Sequence, residues 1–214
     1  MERAAGERPP PGVMVLRGRA ITDDVVWSFV VAELDSPRWR PRLEAALAPE
    51  TARRLRTQSR EALSAEELRA ARAALLAHRG GFVRFLLSDT VEWHVGTLPA
   101  AAIETLRVIT ERDFVARAPS HLLGEFARNT DSGTPPIDDF DVGYRSLRAS
   151  FDLARSRGRP IVVAPSADGP YTIAEGLTRL TCLASLVRTG HPVPSKIEFL
   201  VGTTPRLTAW GWAP

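Results

Sequence analysis

Residues 171–190 read YTIAEGLTRLTCLASLVRTG. Tyr171 to Ala174 form a short apolar run suited to a strand, and Gly176 ends it. From Leu177 onward, Leu180, Leu183, Ala184 and Val187 recur at helical spacing, and Gly190 supplies a stop. A strand that enters a helix through glycine leaves unpaired backbone N–H groups at the helix start, where the dipole favours an anion. Arg179, in the first turn, adds a planar fork suited to phosphate oxygens. Glu175 sets one carboxylate beside it, either as a general base or metal partner or simply paired with Arg179. Thr178 either caps the helix or donates its hydroxyl to a phosphate.

The flanks complete a mixed α/β pattern. Pro160 to Ala164 is a short apolar strand. Residues 165–170 (PSADGP) make a turn, so that Tyr171 to Ala174 pairs back antiparallel. Lys196 to Val201 gives a further strand. Thr203 and Thr204 follow it within Gly202-Thr203-Thr204-Pro205 and either line the same pocket or make the turn. Upstream, a helix from about Gly143 to Arg157 puts Tyr144, Leu147, Phe151 and Ala154 on one face. Residues 129–141 (NTDSGTPPIDDFD) read as a loop, and Asp138, Asp139 and Asp141 read as helix caps in preference to Mg²⁺ ligands. Phe82 to Leu87 reads as a strand, Val91 to Val95 as a second, half-buried one, and Pro99 as the first turn of a helix through Ile103 and Leu106.

The first eighty residues read as helical. VMVL at 13–16 is a short strand. Thr22 or Asp23 caps a helix carrying Val26, Phe29, Val30 and Leu34, and residues 41–57 form a polar helix. Ser64 and Glu67 have the spacing of a capping box, opening a helix with Leu68, Ala71, Leu75 and Leu76 that stops at Gly80-Gly81. The expected organisation is a disordered leader at 1–12, a helical extension at 13–81 and one domain at 82–214. The fold class is α/β mixed (α+β), a small mixed sheet flanked by helices.

Composition narrows the setting. Hydrophobic residues make up 44% and charged residues 25%, as in a soluble globular protein. No run reaches the roughly 18 apolar residues that a membrane span needs. The N-terminus lacks the apolar core of a secretory signal. Cys182 is the one cysteine, which points to the cytoplasm and reads as a small buried group, not a nucleophile. The 28 basic residues include a single lysine, Lys196, and so 27 arginines. They face 25 acids, and the net charge is only +3. The pI of about 9.7 is therefore weak support for nucleic acid. His94 reads as a surface residue of a strand, His78, His121 and His191 show no metal spacing, and Trp93 and Trp210 read as core.

Glu175-Gly176-Leu177-Thr178-Arg179, with the apolar strand before it and the helix after it, resembles the signature of the ParB/sulfiredoxin superfamily: an acidic residue, glycine, two variable residues and arginine. Arg179-Leu180-Thr181 is also similar to the end of the Asp-Gly-Gln-Gln-Arg-Leu-Thr run of related NTP-dependent restriction proteins. The likeness spans roughly residues 85 to 205. It implies a pocket for a nucleoside di- or triphosphate, with Mg²⁺ as an optional companion. Glu175 and Arg179 would be catalytic, and Gly176, Leu177, Thr178, Arg179, Thr203 and Thr204 would bind the nucleotide. The expected activity is an NTP-dependent phosphotransferase or phosphohydrolase with a small-molecule acceptor. Leu177 stands where sulfiredoxins carry their reactive cysteine, so sulfinic reduction is not expected. The chain ends soon after the fold, which argues against a partition protein with its downstream helix-turn-helix. Two alternatives stay open. One is a nucleotide-gated DNA-binding or nuclease module using Arg53, Arg54, Arg56 and Arg60. The other is a non-catalytic partner that keeps the fold.

Overall fold

Ile161, Val162 and Val163 are completely buried, and their alternation sets the layers. In the computed structural model, which describes residues 14–149 and 157–214, Ile161 and Val163 pack into one apolar cluster and Val162 into another. A strand with both faces covered must lie inside a sheet with helices on each side. The five strands are β1 (Val15–Arg19), β2 (Glu92–Pro99), β3 (Ile161–Ala164), β4 (Thr172–Glu175) and β5 (Lys196–Thr203), in the order β1-β2-β5-β3-β4. Only β3 and β5 run parallel; the other pairs are antiparallel. The fold is thus a mixed α/β arrangement with a mixed sheet between helices, as the sequence leads one to expect.

Four helices cover the first face: α1 (Thr22–Asp35), α2 (Arg40–Ala46), α3 (Pro49–Thr57) and α4 (Ala65–Leu86). Phe29, Leu55, Leu75 and Phe82 meet Ile161, Val163 and Leu200 there. Trp210 closes this side, its indole N–H donating to the carbonyl of Phe82 at 2.9 Å, so the core reading of Trp93 and Trp210 holds. On the second face lie α5 (Arg112–Arg117), α6 (Leu123–Ser132), α7 (Asp138–Ala149) and α8 (Leu177–Arg188). Leu123, Phe126, Leu183 and Ala184 cover Val162, Ile173, Phe199 and Val201.

Several local readings change. Phe82 to Leu87 is not a strand: α4 continues past Gly80 and Gly81 to Leu86, bending at Arg79 (φ −125°, ψ 17°). A short apolar run has no period that separates strand from buried helix. Here Phe82, Val83 and Leu86 fall on one helical face and are buried. Residues 41–57 form two helices, because Leu47 and Ala48 are extended ahead of Pro49. Neither Thr22 nor Asp23 caps α1; the Asp24 carboxylate accepts from the backbone N–H of Ile21 at 3.0 Å instead. Pro99 ends β2 opposite Lys196, and a 3-10 turn follows at Ala100–Thr105. Residues 129–132 are the end of α6, which stops at left-handed Gly133, and α7 begins at Asp138, not Gly143. Phe151, Ala154 and the leader at 1–12 lie outside the described residues. The Ser64–Glu67 capping box forms as expected, with bonds of 3.2 and 2.7 Å.

Gly202 faces Trp93 across the β2–β5 ladder. A β-carbon there would lie 2.8 Å from both the Trp93 ring and Val91. Gly202→Ala is expected to cost about 1–3 kcal/mol by overpacking, read as a lower urea midpoint with an unchanged slope.

Candidate functional site

The β4–α8 turn follows from its residues. Glu175 ends β4 opposite Ile161, and Gly176 then takes φ 91°, a left-handed conformation that other residues reach only under strain. A β-carbon on Gly176 would come within 3.2 Å of Pro160 and 3.3 Å of the Arg179 guanidinium, so the turn is closely fitted. No side chain caps α8. The carbonyl of Gly176 accepts from Leu180, the first bond of the helix, at 2.9 Å.

Arg179 points inward. Its Nη1 donates to the carbonyls of Arg157 (3.0 Å) and Gly158 (2.9 Å), and its Nη2 to the Glu175 carboxylate. Both side chains are largely buried. Burial raises the Glu175 pKa above its ordinary value, although Arg179 and the Gly176 N–H both favour the carboxylate.

A second acid–base pair stands next to the first. Glu33 of α1, 8% exposed, lies 3.6 Å from Arg79 at the bend of α4. Burial pushes the Glu33 pKa up to about 7; Arg79 opposes this, the like charge of Glu175 adds to it, and Arg38 opposes it. Arg79 also stacks over Trp39 (4.5 Å) and Phe82 (5.0 Å). Two glutamates and two arginines from α1, α4, β4 and α8 thus share one electrostatic neighbourhood. The sequence reading did not include Glu33 or Arg79. One signal was present: Glu33 sits four residues after Phe29 and three after Val30, on the stripe that buries α1.

The fold brings Glu175, Gly176, Leu177, Thr178 and Arg179 together and leaves Thr203 and Thr204 apart. Thr203 pairs with Ala164 and Glu175 with Ile161, at opposite ends of β3. That separation is about 10 Å along the sheet. Thr204 is buried, and its hydroxyl accepts from the backbone N–H of Arg206 at 3.2 Å. Leu177 packs into the second apolar cluster, so only its backbone faces the turn, and Thr178 is half-buried in the first helical turn.

The remaining candidates have structural surroundings. Cys182 is fully buried, and burial pushes its thiol up to about 12. Asp141 binds the buried guanidinium of Arg117 and the backbone N–H of Ile137, while Asp139 lies 3.6 Å from Arg38. His94 is a half-buried strand residue opposite Val201. Among the described residues, no three His, Cys, Asp or Glu side chains cluster closely enough to hold a metal ion. Arg53, Arg54, Arg56 and Arg60 pair with Glu50, Glu67, Glu44 and Asp24. Two surface depressions, of about 920 and 530 Å³, lie elsewhere, with no residue of the turn in their walls. No helix among the described residues is long and apolar enough to cross a membrane.

Comparison with protein-family models, curated proteins and solved structures finds no match to this chain.

Proposed function

We propose that the β4–α8 turn binds a nucleoside di- or triphosphate and transfers or hydrolyses its phosphoryl group, as the resemblance of Glu175-Gly176-Leu177-Thr178-Arg179 to the ParB/sulfiredoxin superfamily implies. The observation that carries this reading is the start of α8: left-handed Gly176 and no capping side chain, between a carboxylate and a guanidinium. In this reading, phosphate oxygens rest on the first-turn amides of Leu177 and Thr178. One oxygen replaces Glu175 on Arg179 Nη2, while Nη1 stays on the carbonyls of Arg157 and Gly158 and keeps the fork oriented. Glu175, thereby released, accepts the proton of the attacking hydroxyl or water. A bound nucleotide would supply the electrophilic phosphorus and the leaving phosphate. Arg79 adds positive potential from the side of α4. Among the described residues the side chains build no metal cage, and no step is assigned to Mg²⁺. The reading keeps the cytoplasm as the setting, in line with one buried thiol.

A thermal-shift panel of nucleotides, with and without Mg²⁺, tests it. A ligand at a hundred times its Kd is expected to add about 2.7 kcal/mol to stability. Glu175→Gln is expected to keep that shift and lose turnover. Failure of every nucleotide to raise the melting temperature overturns the proposal.

The three acceptors already on Arg179 favour a second reading, in which the turn is purely structural and the chain is a non-catalytic partner. That reading predicts no nucleotide shift and a loss of stability alone in Arg179→Ala. The paired state of Arg53, Arg54, Arg56 and Arg60 gives the nucleic-acid alternative no support.

A further inference from the structure

The larger depression, of about 920 Å³, runs along one face of the second half of α4 and ends against the segment around Arg206 and Ala209. Leu76, Gly80, Gly81, Arg84 and Phe85 fall on successive turns of that face. The depression is shallow and largely open to solvent, with room for a small molecule to lie along the helix.

Two observations give this groove a chemistry. The first is the glycine pair. Glycine is a poor residue for a helix interior, and this pair directly follows the bend of α4 at Arg79, where chain direction changes. What bears on a ligand is the surface that the pair leaves bare. A β-carbon on Gly81 would meet nothing within 4 Å, one on Gly80 would meet only the Arg84 side chain at 3.8 Å, and neither residue has positive φ. The pair weakens α4 and leaves a bare strip of helix facing outward, with half-buried Leu76 and Phe85 beside it.

The second observation is charge. Arg84, Arg206 and His78 line the groove, and no Asp or Glu does. Most other arginines of the described residues hold a carboxylate or a carbonyl. Arg84 and Arg206 have neither an acidic partner nor a side-chain hydrogen bond among the described residues. The hydroxyls of Ser88 and Thr90, 2.7 Å apart, complete the polar rim. Exposed guanidinium groups without a counter-charge, set against an apolar strip, match a ligand that carries both an anionic group and an apolar body.

We propose that this groove binds an organic anion with an apolar or aromatic body, its carboxylate, phosphate or sulfonate on Arg84 and Arg206 and its body over Gly80 and Gly81, between Leu76 and Phe85. The site shares no residue with the β4–α8 turn and stands independently of the function proposed for that turn.

The test uses the full chain and 8-anilinonaphthalene-1-sulfonate as the probe, followed by its fluorescence. The native protein is expected to give saturable one-to-one binding, and N-phenyl-1-naphthylamine, which lacks the sulfonate, to bind at least tenfold more weakly. A β-carbon at Gly81 meets nothing within 4 Å, so Gly81→Leu is expected to cover the strip, to keep or raise the melting temperature and to abolish binding. This pairing separates loss of the site from loss of the fold. The double variant Arg84→Gln, Arg206→Gln is expected to weaken binding at least tenfold while leaving the melting temperature in place. Absence of saturable binding to the native protein overturns the proposal. So does undiminished binding to Gly81→Leu or to the double arginine variant.

Discussion

Arg117→Ala is expected to destabilise the protein by about 3–5 kcal/mol, because it removes one partner of a buried ion pair and strands the other. The Arg117 side chain is fully enclosed. It binds Asp141 through two bonds (2.5 and 2.9 Å), donates to the carbonyl of Pro135 (3.0 Å) and lies 3.3 Å from the Thr130 hydroxyl. The guanidinium also sits over Phe126 and Phe140, at 5.6 and 5.8 Å. This one side chain ties α5 to α6, to the 133–137 connection and to α7. Burial alone would raise the Asp141 pKa; the hydrogen bonds from Arg117 and from Ile137 hold it below its ordinary value. A carboxyl held low contributes stability at neutral pH that disappears as pH falls through its folded pKa. The deficit of Arg117→Ala should therefore shrink in acid. Arg117→Met combined with Asp141→Leu should recover much of the loss, since an apolar pair of similar volume carries no desolvation cost. Urea unfolding followed by circular dichroism reads all three. A loss below 1 kcal/mol in the single variant would contradict the account.

The same side chain shows what the sequence could convey. Asp141 is visible as an acid near a helix start, and it does cap: the Ile137 N–H donates to it at 2.9 Å. Its stronger partner, Arg117, comes from another helix and carries no local mark. The segment from Pro160 to Gly190 was legible almost residue by residue. Proline and glycine bound each element there, and these bounds, with the helical spacing after Gly176, separate the two short strands from the helix. The Glu175–Arg179 pair was legible as the bland alternative to phosphate binding, because a carboxylate just ahead of a helix start lies within reach of an arginine in its first turn. Glu33 and Arg79 were not, since they reach Glu175 only through helix packing. Thr203 and Thr204 lie apart from the turn for a topological reason. β5 runs parallel to β3 while β4 runs back, so the C-terminal ends of β4 and β5 lie at opposite ends of β3.

The arginine content also acquires a physical meaning. Several guanidinium groups end helices by donating to their last carbonyls. Arg40 holds Leu34 O of α1 at 2.7 Å, Arg157 holds Leu55 O of α3 at 3.2 Å, and Arg72 holds Leu87 O beyond α4 at 3.1 Å. Terminal carbonyls lack intrahelical partners, and a planar fork with five N–H donors satisfies them across long gaps. Such arginines raise the pI without forming a surface for phosphate backbones. On this view Arg179, with two carbonyls and one carboxylate, belongs to a common structural pattern of the chain. What sets it apart is the left-handed Gly176 at the helix start beside it and its largely buried pairing with Glu175.

The acid–base cluster yields a pH signature that does not depend on any ligand. Glu33→Gln is expected to change stability little at pH 5 and to increase it by up to about 3 kcal/mol at pH 9. In the unfolded chain the Glu33 carboxyl titrates near 4.5; in the folded protein burial moves it to about 7. Below 4.5 it is protonated in both states and costs nothing. As pH rises from 4.5 to about 7, the unfolded chain releases the proton while the folded protein keeps it. Stability therefore falls across this window, and above it the full cost of a buried charge is present. The neighbours set the size of the effect. Arg79 and Arg38 attract the ionised form, and Glu175, itself raised by burial, repels it. Glutamine keeps the volume and polarity of the protonated acid and cannot ionise, so it removes the alkaline penalty alone. Urea unfolding of both proteins at pH 5 and pH 9 measures the difference. Equal gains at the two pH values would mean that Glu33 ionises freely, and the cluster that joins α1, α4 and the β4–α8 turn would then be open to water.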